Sequence, residues 1–386
     1  MSDQVDWDIA ARAGIRLVRP GPKLSDEQRQ ASVRRLRWSA SRSVDLVAAA
    51  SRLPGSEQAA EVTLVVDRAG MVRANAAVMS MVMDSLDQTS SRGGRVASRL
   101  TGAGAGVILA FIATNVLGQF EPFSNRLLLN APSVEMVRAA IGANPDDFAL
   151  WVCLHEQTHR QQFASAPWLR GHLLSLMRRF IELQLADDDE PPAKTKQRRQ
   201  PDNDGLGLIA TFGSPAAAGV VAEVTAVMSL LEGYADMLMD MAGAPVIPSL
   251  PKIRAAVDAR RQPSRSSVKG LLGRAFGMAA KVNQYVDGKS FCQAVCAEIG
   301  LDGLNIAFTS PQCLPTEKEL RDPSAWVRRC GASSTLRQQG DAVPIEVGDA
   351  KSPPVDATIF APVGGVPLAP GGDSVSQPAL PDVELA

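Results

Sequence analysis

Apolar positions recur at three-and-four spacing between Phe148 and Phe163, so that Phe148, Trp151, Val152, His155, His159 and Phe163 fall on one helical stripe. Asn144-Pro145-Asp146-Asp147 supplies the start of that helix: a capping side chain, proline at the first helical position and acids facing the positive end of the dipole. Ala166-Pro167 ends it. A second apolar run, Val224 to Met239 (VTAVMSLLEGYADMLM), has Glu232 and Asp236 as its only charges. Ser214-Pro215 opens this helix and Gly243 closes it. Ser25-Asp26-Glu27-Gln28 reads as a capping box for a further helix that runs towards Arg52, where Pro54-Gly55 stops it.

Strand signals are few. Glu61 to Asp67 (EVTLVVD) is short and β-branched, and Arg126 to Asn130 (RLLLN) is closed by Ala131-Pro132-Ser133. The pattern predicts a mainly α protein with a small β-sheet, in the α+β class.

Composition divides the chain. Asp187 to Gly205 alternates acids, prolines and bases with almost nothing apolar to bury, and is expected to be a disordered insertion between the two long helices. From residue 339 to 386 the chain is rich in proline and glycine with Phe360 as its only aromatic, and is expected to be a disordered tail. Residues 1 to 338 then form one large domain or two packed lobes. Arg254 to Arg274 reads as a solvated basic face.

Forty basic and forty-one acidic residues leave a formal charge of −1, which gives no reason to expect a nucleic-acid partner. The first twenty residues carry Asp3, Asp6 and Asp8 and lack a secretory apolar core. The most apolar run, Val107 to Leu117, is too short for a bilayer, so no membrane partner is expected. Five scattered cysteines fit a reducing compartment better than a disulfide framework, and a cytoplasmic location follows as the expectation.

His155-Glu156-Gln157-Thr158-His159 changes the picture from architecture to chemistry, because it uses two of only three histidines. Residues four apart share a helical face, so two imidazoles can aim at one ion about 2.0-2.1 Å away. His155 and His159 are the candidate ligands of Zn2+. Glu156, rotated aside, can reach a water on that ion and take its proton, which makes it the candidate general base. Catalytic zinc usually takes three protein ligands, and an acid in apolar surroundings is the place to look for the third. Glu232 is that acid. Asp236, four residues on, is expected to accept from the outer ring N–H of a ligand histidine.

HExxH followed by a helical ExxxD resembles the gluzincin metallopeptidases. Val5-Asp6-Trp7-Asp8, Leu117-Gly118-Gln119-Phe120, Leu150 to Glu156, Leu231-Glu232-Gly233 and Asp322-Pro323-Ser324-Ala325-Trp326 together resemble an actinobacterial zincin-like family, over residues 5 to 330. Its members are described as zinc-dependent metalloproteases, and some are linked to deazaflavin coenzyme biosynthesis. Relatives often carry histidine where Tyr234 stands here; that position points about 200 degrees away from Glu232 on a helix, so zinc binding should survive the change.

The resemblance implies a zinc metallopeptidase acting on a peptide or protein. It also implies an edge strand beside the HExxH helix that takes the substrate as an added strand. Arg126 to Asn130 is the candidate, with an ordinary internal strand as the equal alternative. A donor for the tetrahedral oxyanion is sought among His172, Tyr234 and Tyr285, with Tyr285 preferred as a catalytic residue. The competing class is a zinc-stabilised scaffold without turnover, linked to a coenzyme pathway through its partners. Glu156 argues against it, since a purely structural site has no use for a base and is usually closed by a fourth ligand.

Overall fold

The computed structural model describes residues 5–55, 62–86, 97–188, 214–261 and 288–331. Tyr285, the tail from 339 and the insertion beyond Asp188 lie outside the described residues. Asp187 and Asp188 themselves close the helix Trp168–Asp188.

Helices dominate, around one three-stranded mixed sheet. Strand β1 (Val62–Val66) runs parallel to β3 (Arg126–Asn130), and β2 (Gly118–Glu121) pairs antiparallel with β3, in the order β1-β3-β2. The α+β reading therefore holds. Arg126 to Asn130, however, is the central strand: both of its edges are occupied, and it has none to offer a substrate. The strand beside the HExxH helix with an unpaired edge, among the described residues, is β2.

Two helices carry the site. The histidine helix, Pro145–Ser165, starts where Asn144 Oδ1 accepts from the backbone N–H groups of Asp146 and Asp147, and ends at Ala166. The glutamate helix, Pro215–Gly243, is capped by Ser214, whose hydroxyl accepts from Ala217 N–H. Phe148, Ala149 and Leu154 on the first and Leu230, Tyr234 and Leu238 on the second are fully buried in one core, with the helix Asp26–Ser51 packed against both.

A third helix, Gly288–Asn305, crosses the glutamate helix so closely that a Cβ on Gly233 would lie 2.1 Å from the Gly288 carbonyl carbon. Only glycine fits there. Pro215–Gly243 and Gly288–Phe308 are long and apolar enough, by length and composition, to cross a membrane. In the former, Leu230, Tyr234 and Leu238 lie in the core described above.

Candidate metal centre

His155 and His159 lie one turn apart, and their Nε2 atoms are 3.2 Å from each other. Glu232 reaches them from the facing helix: Oε2 is 3.4 Å from His155 Nε2 and Oε1 is 3.6 Å from His159 Nε2. Ligand atoms arranged tetrahedrally around an ion about 2.0-2.1 Å away stand roughly 3.4 Å apart. The two imidazole nitrogens stand near that separation, each faces a different Glu232 oxygen at a similar distance, and one donor atom from each residue lies within 4.8 Å of the others, so this triangle of residues fits a metal ion.

Glu232 departs from expectation in one respect. Its side chain is 55% exposed rather than buried. The apolar run that surrounds it in sequence wraps the other sides of the helix, while position 232 opens to solvent. The imidazoles are far less exposed.

The outer nitrogens show which side chains orient the rings. His159 Nδ1 lies 2.9 Å from Gln162 Oε1, and the same amide donates through Nε2 to the Leu231 carbonyl at 3.0 Å. With its NH2 committed to that carbonyl, Gln162 presents its oxygen to the ring, placing the proton on Nδ1 and leaving Nε2 free to ligate. One buried amide thus joins His159 to the residue preceding Glu232. His155 Nδ1 faces the Met239 sulfur at 3.3 Å.

The role expected of Asp236 falls to those two residues. Asp236 accepts from Arg254 Nη1 at 2.8 Å, and its backbone carbonyl accepts from Nη2. Arg254 also binds Asp240, Lys289 pairs with Asp240 at 2.7 Å, and the guanidinium lies 5.6 Å from the Trp151 ring centroid. Arg254 is therefore an inward-facing partner of the glutamate helix rather than part of a solvated face. Arg254 and Lys289, remote in sequence, thus hold the Asp236 carboxylate, which still adds to the field at His155.

Burial alone would depress the His155 pKa, but the Glu232 carboxylate beside it outweighs that and raises it. Glu156 is 7% exposed; burial raises its pKa, opposed by the two imidazoles and by a hydrogen bond from the Phe120 N–H to Oε2 at 3.0 Å. A buried carboxyl whose pKa is raised holds a proton more readily than an exposed one, which suits a base.

Of the other candidate donors, Tyr234 is fully buried, with its hydroxyl 2.9 Å from Asn305 Oδ1, on the side of the glutamate helix away from the triangle. His172 stands on the next helix with its ring against Trp168. Sequence reasoning missed Gln162, Met239 and the β2 backbone. Of these only Gln162 carried a local signal, standing three residues after His159 and so on the same face.

No curated protein matches the chain. A crystal structure from Chloroflexus aurantiacus, described as a candidate hydrolase with a novel fold, is similar at 25% identity and a TM-score of 0.61, covering 87% of this chain and 100% of that one. The profile of the zincin-like metallopeptidases matches residues 5–327. With that match running through the sheet and both ligand helices, the chain belongs to the zincin-like metallopeptidase family, which supports a hydrolase and implies a metal at the His155, His159 and Glu232 group.

Proposed function

We propose that this protein is a zinc-dependent peptidase in which His155, His159 and Glu232 hold the ion and Glu156 is the general base. The observation that carries it is the grouping of the three residues, with the imidazole nitrogens 3.2 Å apart and each within 3.6 Å of one Glu232 oxygen, open to solvent on the Glu232 side. Bound there, zinc supplies an electrophile and lowers the pKa of a bound water towards about 7. Glu156 takes a proton as the water adds to the peptide carbonyl and returns it to the leaving amine.

The β2 register supports a peptide as substrate. Asn130 N–H donates to the Leu117 carbonyl, so the alternation along the strand turns the main-chain groups of Gly118 and Phe120 outward from β3. The Phe120 N–H among these is held by Glu156, so an extended peptide would add along that edge through the remaining main-chain groups of Gly118 and Phe120. All five cysteines are free thiols, which supports a reducing compartment, the cytoplasm.

Glu156→Gln tests the reading. The variant keeps stoichiometric zinc by elemental analysis and loses hydrolysis of a peptide library. Unchanged hydrolysis removes Glu156 from the mechanism, and an inactive parent protein removes the peptidase reading.

A further inference from the structure

We infer that Gly118 is a positioning residue for Glu156: the missing side chain at this strand position sets where the carboxylate of the base stands. This rests on the assignment of Glu156 made above. A Cβ on Gly118 would lie 2.7 Å from Glu156 Cγ and 3.0 Å from both Cδ and Oε1, where carbon atoms ordinarily settle at about 3.5-4.0 Å. Two residues on, the Phe120 N–H holds Oε2 at 3.0 Å. The carboxylate is thus seated between a glycine face and a backbone donor of one strand.

Neither side of this seat can retreat. The strand enters at Val116 and Leu117, where the buried Asn130 side chain donates to the carbonyls of Ala113 at 2.7 Å and Val116 at 3.0 Å, and the Asn130 N–H donates to Leu117 at 2.9 Å. Beyond Gly118, the Phe120 ring packs on Phe163, with centroids 6.0 Å apart, on the helix that carries Glu156. The backbone at 156 sits in a regular helix buried on most sides. An added methyl is therefore accommodated by the Glu156 side chain, which moves by about the 1 Å that separates these contacts from ordinary ones.

A displacement of that size at a base costs up to about a hundredfold in turnover. Gly118→Ala is expected to bind zinc stoichiometrically, to keep KM within about twofold and to lose about ten- to a hundredfold in kcat. Glu156→Ala removes Cγ, Cδ and both oxygens, and with them the clash, so in that background Gly118→Ala should cost no further residual turnover.

The same four proteins, stripped of metal, are compared in thermal melts. Gly118→Ala lowers Tm, and Glu156→Ala recovers part of that loss. A Gly118→Ala enzyme within about twofold of the parent in kcat, or losses that add in both cycles, overturns the inference. Should the parent hydrolyse no peptide, the peptidase reading fails separately and the melts alone decide: additive Tm losses overturn the seat, and coupled losses sustain it.

Discussion

A single amide, Gln162, binds the ring of His159 on one side and the carbonyl before Glu232 on the other, so its loss should be felt at both ligands. Gln162→Leu preserves bulk but removes both hydrogen bonds. It is expected to weaken zinc binding by about ten- to a hundredfold in competition with a chromogenic chelator. Unchanged affinity would show that the ring is oriented by packing alone. His155, Glu156 and His159 were legible because helix geometry alone brings i and i+4 to one ion. Glu232 was legible as an acid in an apolar run, although its exposure was not. The partners of Asp236 were not legible, because nothing near it in the chain announces that Arg254 and Lys289 come from other helices to pair with it.

Elements built from strong local signals appear where the chain predicts them. Asp26–Ser51 opens on the Ser25 capping box and ends at a left-handed Arg52, and β3 spans Arg126–Asn130. Strand β2 was illegible because Gly-Gln-Phe-Glu has little intrinsic β preference; pairing with β3 makes it a strand. Its presence moves the candidate substrate edge from β3 to β2. The contact between Gly233 and Gly288 was equally hidden, since two glycines in sequence do not say that two backbones meet. Gly233→Ala cannot be absorbed by a side chain there and should destabilise by at least about 1-3 kcal/mol in chemical denaturation. A smaller loss would mean that the helices slide apart freely.

Beyond that crossing, Glu319 is clasped by Arg329 and accepts from Thr316; burial opposes ionisation, but these partners hold its carboxyl below the ordinary value. A depressed native pKa stabilises the fold above the unfolded value of 4.5, and the benefit disappears as pH falls through the lower native value. Glu319→Gln should therefore lose less Tm than the parent as pH drops below 4.5. Parallel profiles would refute the pairing as a source of stability.

At the scale of the whole molecule, the ion would join two helices that the chain separates widely, so binding is linked to folding. Zinc at a hundred times its dissociation constant should add about 2.7 kcal/mol, read as a rise in Tm over chelator-treated protein. Equal melts would mean that the triangle holds nothing. The class of fold was legible because helical periodicity runs through most of the chain, whereas which helices neighbour one another is set by long-range packing that periodicity does not encode. The outward-facing Glu232 carries one further consequence. Two ligands are anchored in the core, but the third stands at the rim, where it can swing away without disturbing its helix. Metal exchange then needs no global opening: a small chelator should strip the ion in a single fast phase at temperatures far below the melt, and adding it back should restore the occupied centre without refolding.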